Sequence, residues 1–150
     1  MIFKQLNSSH ILEVENILKS HESMDFERFG LRLSAAQIEY SLSKDICFGF
    51  FDGDKLLAFI LGRKVDQEIF EIDMTMTNKA DLKKGHMEKF FKEMIMHLKN
   101  NGVFYKIWLE VHEENNPALS FYKKMGFTQN SARSKYYPDG KAAILMTLIL

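Results

Sequence analysis

The stretch WLEVHEENNPALSFYKKMGF, Trp108 to Phe127, runs from a strand pattern through a polar turn into a helix pattern. Along FYKIWLEV, Ile107 and Leu109 share one face and Trp108 and Glu110 the other, as in a half-buried strand. Asn115 or Asn116 can then cap a helix whose first turn accepts Pro117, because the N–H that proline lacks would be unpaired there anyway. Helical spacing puts Ala118, Tyr122 and Met125 on one face before Gly126 stops the helix. Such a unit belongs to a fold that mixes strands and helices.

Upstream, IFKQL alternates as a strand, and SSHILEVENILKSH places Ile11, Val14 and Leu18 on one helical face behind Ser8 or Ser9 as N-cap. A second capped helix is expected from Ser34 to roughly Leu42, and DFERFGLR between the two reads as a loose connection able to border a substrate site. ICFGFFDGDKLLAFILGRKV reads as two strands about the Asp52-Gly53 turn, and IFEIDMTMT adds a third strand to an antiparallel meander. HMEKFFKEMIMHLKNNG is the longest helix, ended by Gly102. Downstream, SARSKYY and KAAILMTLIL read as two strands around Pro138-Asp139-Gly140. The order is therefore βααβββαβαββ: an α/β (α+β) chain with one mixed sheet of about seven strands flanked by helices, in a single domain spanning residues 1–150.

Composition narrows the function classes. Twenty basic residues balance twenty acidic ones, so the overall field does not attract a polyanion, and nucleic acid is not an expected partner. A single cysteine, Cys47, rules out a disulfide within the chain and a cysteine zinc site, and suits a reducing compartment. The histidines at 10, 21, 86, 97 and 112 have no HExxH spacing, and no metal is expected. MIFKQLNSSH lacks the pattern of a cleaved leader, and no run of apolar residues is long enough to span a membrane, so a soluble cytoplasmic protein is expected, with no membrane partner. Monomer and homodimer both remain open.

With these elements in place, the chain resembles the GNAT superfamily of acyl-CoA-dependent N-acetyltransferases, and within it the enzymes that acetylate the N-terminal alanine of ribosomal proteins. The resemblance covers nearly the whole chain and is strongest over Trp108 to Phe127; KYYPDGKAAILMTL resembles the tail that closes the peptide end of the site. It implies a V-shaped opening between the strand ending near Thr77 and the strand ending near Val111, occupied by the pantetheine arm of acetyl-CoA. It further implies that Met74, Thr75, Met76 and Thr77 face the acyl group and pantetheine, and that Asn115, Ala118 and Tyr122 border the cofactor. Glu110 is then the general base, Tyr122 the general acid, and the acceptor amine, most plainly that of a protein or peptide N-terminus, enters near Glu110, Tyr136 and Tyr137.

The family's phosphate-binding loop, Gln/Arg-x-x-Gly-x-Gly/Ala, corresponds to LKKGHM, Leu82 to Met87. Gly85 keeps the first glycine, while Leu82 and Met87 depart from the pattern. Backbone N–H groups at a helix start can hold a pyrophosphate whatever their side chains, and Lys83, Lys84 and His86 add positive or polar groups beside it. Met87 either blocks close approach or turns into the core. Read from the residues alone, Tyr122 is as well a packing ring as an acid and Glu110 as well a solvated strand carboxylate as a base, while His86 and His112 read as surface histidines. The alternatives to an enzyme acting on peptides are a catalytically silent fold with a degenerate loop, and an acetyltransferase for a small amine. Acidic residues at the mouth would favour the small amine; an open groove near Tyr136 and Tyr137 would favour a peptide.

Overall fold

The computed structural model describes residues 1–31 and 33–150. In chain order its elements are β1 (Ile2–Gln5), α1 (Ile11–Ser20), α2 (Ala35–Lys44), β2 (Phe48–Asp52), β3 (Lys55–Asp66), β4 (Ile69–Thr77), α3 (His86–Asn101), β5 (Lys106–His112), α4 (Asn116–Lys124), β6 (Thr128–Arg133) and β7 (Ala143–Ile149). This is the order expected from the sequence. The seven strands form one sheet, β1-β2-β3-β4-β5-β7-β6, in which β4 and β5 are the parallel pair and every other neighbour is antiparallel.

Two apolar layers sandwich the sheet. On one side α3 and α4 bring Phe90, Phe91, Met94, Leu98 and Tyr122 against Phe48, Phe70, Ile72, Ile107, Leu109 and Val111. On the other, α1 and α2 bring Val14, Ile17, Ile38 and Leu42 against Phe59, Leu61, Met74 and Met76. Strict alternation would keep Phe70, Ile72, Met74 and Met76 on one face, yet the first two join the α3 layer and the last two the α1 layer. The cause is a bulge. Leu61 pairs with Met74 and Gly62 with Ile72, leaving Asp73 as an extra residue on β4. Gly62 permits the close approach: a Cβ there would sit 2.4 Å from the Phe70 ring and 2.7 Å from the Glu71 carbonyl oxygen.

Several boundaries differ from the sequence reading. Asn7, not Ser8 or Ser9, is the cap; it opens a 3-10 turn, Ser8–His10, whose capping box is closed by His10. Ser34 caps α2, with Gln37 closing the box, as expected of that serine. β6 begins at Thr128 and ends at Arg133, so Ser134 to Tyr137 are not strand. Lys135 takes a left-handed φ of 52°, and both Tyr136 and Tyr137 donate their N–H to the Lys141 carbonyl, a tight return that turns Tyr137 inward. Among the described residues no helix is long and apolar enough to cross a membrane.

Candidate active site

β4 and β5 stay paired only from Ile69–Lys106 to Ile72–Leu109. Beyond that β4 continues to Thr77 and β5 to His112, each held by its outer neighbour, and the two strands separate. The bulge at Asp73 lies where the pairing ends. The resulting cleft, about 130 Å³, is lined by Met74, Thr75 and Met76 on one wall and by Glu110, Asn115, Ala118 and Tyr122 among those on the other. That volume is about four water molecules, enough for an acyl group and its neighbouring atoms. Thr77 lies outside this lining; its carbonyl accepts a 2.7 Å hydrogen bond at His21 Nε2.

Tyr122 is 9% exposed and packs among Phe91, Phe121 and Phe127, with ring centroids 5.6 to 5.9 Å apart. The ring is thus a core residue whose hydroxyl reaches the cleft. Burial raises its pKa, and a hydrogen bond with Thr75 acts in the opposite direction; the phenol is held protonated at neutral pH. Because the bulge reverses the faces of β4, Thr75 is turned toward α4. Asn115 caps α4 by accepting from the Ala118 N–H at 3.4 Å.

On the opposite face of the sheet, Glu110 joins Tyr136 and Tyr137 at a second pocket of about 570 Å³, walled by Glu27, Phe29 and Gly30 from the α1–α2 connection and floored by Arg63, Glu71 and Asp73. The loose DFERFGLR segment does border this space. Arg133 Nε lies 2.9 Å from Glu110 Oε1, and the charge of Glu110, with burial and a hydrogen bond to the same carboxylate, raises the pKa of Tyr136. Glu110, Ile72 and Asp73 line both cavities, so pocket and cleft meet at these residues.

His112 is not the surface histidine the sequence reading favours: it is 1% exposed, with its ring between Phe29 and Tyr137. The Glu114 N–H donates to Nδ1 at 3.1 Å, so Nε2 carries the proton and donates to Asp139 at 2.8 Å. Arg28 bridges Asp139 and Glu114, and Lys141 adds a second cation to Glu114. Loss of water works against ionisation of Asp139, but hydrogen bonds from the Lys141 N–H, His112 and Arg28 hold it at about 2. His112, Glu114 and Asp139 lie close enough to offer a metal three ligand atoms, yet both ring nitrogens are already engaged and both carboxylates are paired with cations. The cluster therefore reads as a clasp joining the two loops over the second pocket. Tyr137 closes it, packing 2.6 Å from where a Cβ on Gly30 would stand. Sequence spacing gave no sign of this clasp, because Arg28, His112 and Asp139 are far apart in the chain.

The start of α3 carries the remaining expected residues, Lys83 to Met87, outside the cleft lining. Gly85 is the N-cap at φ 76°, no side chain caps the helix, and nothing lies within 4 Å of a Cβ built on Gly85. The first-turn N–H groups are therefore left without a side-chain cap, as a site for pyrophosphate requires. His86 is half-buried, with an Nδ1 that has no hydrogen-bond partner among the described residues. Lys84 and Lys55 both pair with Asp81, at 2.8 and 2.6 Å. Met87 packs against the α3-side core, so its side chain leaves the loop clear. The residues present fit the phosphates of coenzyme A through backbone donors.

The parallel pair thus opens in mid-sheet, with a protonated phenol on one side and an acidic pocket on the other, beside a helix start that no side chain caps. Residues 12–127 match the Acetyltransferase (GNAT) family, and the chain belongs to it. Two curated N-alpha-acetyltransferases align in part: that of Sulfurisphaera tokodaii is 44% identical over 41 residues, covering 27% of this chain and 25% of the relative. That of Saccharolobus solfataricus is 33% identical over 64 residues, 43% of this chain and 38% of the relative. Both alignments span well under half of those proteins. The ribosomal-protein-S18-alanine N-acetyltransferase of Escherichia coli shares the fold at a TM-score of 0.82 and 22% identity, over 99% of this chain and 92% of that one.

Proposed function

We propose that this acetyltransferase modifies the N-terminal α-amine of a protein or peptide, with Glu110 taking a proton from the acceptor nitrogen and Tyr122 giving one to the departing thiolate. The observation that carries the peptide reading is the shape of the acceptor side. The pocket under Tyr136 and Tyr137 shares Gly30, Arg63 and Asp73 with a further trough of about 520 Å³ running along α2 past Leu33, Gln37 and Tyr40. A small amine fills the first space; a chain end needs both. Partial similarity to N-alpha-acetyltransferases supports the same reading.

Acetyl-CoA supplies an activated acetyl group. The chain's residues do the rest: the first turn of α3 holds anionic oxygens, the β4 and β5 walls keep water from the reacting atoms, and the Tyr137 clasp orients the acceptor. The acceptor nitrogen becomes strongly acidic as its bond to the acyl carbon forms, so a carboxylate of ordinary pKa can collect that proton. Cys47 has no part in this, being fully buried with its thiol pushed up to about 12 by loss of water.

A specific observation favours a second reading, a polyamine-like acceptor: among the described lining residues, Glu71, Asp73 and Glu110 place three carboxylates along the pocket. Turnover of a panel of peptides with different first residues, measured against spermidine and an aminoglycoside, decides between them. The peptide reading expects the highest kcat/KM with a peptide, and turnover of the small polycations alone contradicts it.

A further inference from the structure

Acetylation of an ammonium requires two protons to leave nitrogen: it arrives with three and ends, as an amide, with one. One of the two ends on sulfur and the other in water. Glu110 and Tyr122 account for one acceptor and one donor, and the first proton, which must go before the nitrogen has a lone pair to attack with, is unassigned. We propose that Asp73 takes this first proton, holding the acceptor ammonium at the junction of pocket and cleft, while Glu110 takes the second as the new N–C bond forms. This rests on the acceptor entering through the pocket described above, whichever molecule carries the amine.

The placement follows from the bulge. As the unpaired residue of β4, Asp73 stands where β4 and β5 part and lines the acceptor pocket, the cleft and the α2 trough. Glu110 faces it across the opening but is already occupied, accepting from Arg133 at 2.9 Å and from Tyr136. Among the described residues Asp73 has only a 3.4 Å contact from Arg63, whose guanidinium lies closer, at 2.8 Å, to Glu71. A carboxylate with lone pairs to spare is the better receiver of an ammonium.

The charges around Asp73 fit that task. Its side chain is 27% exposed, and loss of water raises its pKa to about 6; Arg63 on β3 opposes the rise, while Glu71 on its own strand and Asp45 after α2 add to it. Glu110 on β5 and Glu27 in the α1–α2 connection are the other acids of the pocket, and Tyr136 and Tyr137 its phenols. Proton transfer from an α-amine to such a group is about 100-fold uphill, against about 10⁴-fold to an ordinary aspartate. The steps balance: the N–H pair left by the first proton attacks the acyl carbon, the C–S pair leaves on sulfur and Tyr122 protonates it, Glu110 collects the second N–H proton and passes it to water, and Asp73 gives up the first proton to solvent as the Tyr122 phenolate takes one back, so one proton ends on sulfur and one in water.

The test is the pH dependence of kcat/KM for wild type, Asp73→Asn and Glu110→Gln, using whichever of peptide or spermidine the acceptor panel selects. Asp73→Asn is expected to lose about 10²-fold near pH 7, to lack the acid limb near pH 6, and to recover where the amine arrives neutral, above about pH 9 for a peptide α-amine and only above about pH 10.4 for the alkyl amines of spermidine. Glu110→Gln is expected to keep its deficit there, since the second proton still needs a receiver. Recovery of Glu110→Gln but not of Asp73→Asn, or an unchanged profile in Asp73→Asn, overturns the assignment. A ligand-free readout stands beside it: carboxyl ¹³C NMR, assigned by difference against Asp73→Asn, is expected to show Asp73 titrating near pH 6, and titration near 4 overturns it. Turnover of spermidine alone would sink the peptide reading and leave the Asp73 test intact.

Discussion

Tyr122→Phe separates packing from chemistry at the one residue that serves both. The ring is 9% exposed and touches three other aromatic rings, and phenylalanine keeps all of that area. What is lost is one hydroxyl and its hydrogen bond with Thr75, a net cost of about 0.5–1.5 kcal/mol. For a chain of this size that is a fall in Tm of about 1–6 °C. Tyr122→Ala, by contrast, opens a cavity at a cost of about 3–5 kcal/mol. If the phenol protonates the leaving thiolate, the Phe variant should lose about 10²- to 10⁴-fold in kcat, far more than its stability change would explain. The assay is thiol release under single-turnover conditions, so that product departure does not mask the chemical step, paired with thermal melting of the same sample. A Phe variant with wild-type kcat refutes the acid role and leaves Tyr122 as a packing residue.

Gly62→Ala should destabilise the protein by about 1–3 kcal/mol, because its methyl would press on Phe70 and the Glu71 carbonyl opposite the bulge; urea melts read this directly. Met87→Gly should leave acetyl-CoA affinity unchanged in calorimetry and lower Tm, since the methionine packs into the core and glycine weakens a helix. The Asp73 carboxyl has a second consequence for stability. Its folded-state pKa of about 6 exceeds the ordinary value of about 3.9, so its contribution is full below about pH 4 and is lost as pH rises through 6. Asp73→Asn should therefore gain in Tm relative to wild type between pH 4 and pH 8.

Elements with strong local signals were legible before the structure. Ser34 with Gln37 caps α2, Gly102 ends α3, Asp52-Gly53 turns β2 into β3, and Glu110 shares a face with Trp108, all from spacing and backbone preference. The bulge was not, because IFEIDMTMT alternates cleanly and only the pairing with β3 shows that Asp73 is extra. The polar series Glu71, Asp73, Thr75, Thr77 reads there as the solvent face of one regular strand. His112 was misread for a related reason: what buries it are Phe29 and Tyr137, rings contributed by two distant loops. β6 starts three residues and ends four residues before the strand expected over SARSKYY, which looks extended, because Lys135 adopts a left-handed turn that few non-glycine residues take.

In the proposed mechanism, acyl group and acceptor amine meet where β4 and β5 part. A crystal structure with a coenzyme A–peptide conjugate, joined through the acceptor nitrogen, tests it most directly. The pyrophosphate is expected at the first turn of α3, sulfur within hydrogen-bond reach of the Tyr122 hydroxyl, and the peptide's first residue between Glu110 and Asp73 under Tyr137. A conjugate whose sulfur lies away from Tyr122, or whose peptide leaves the protein without entering the pocket under Tyr136 and Tyr137, would contradict it.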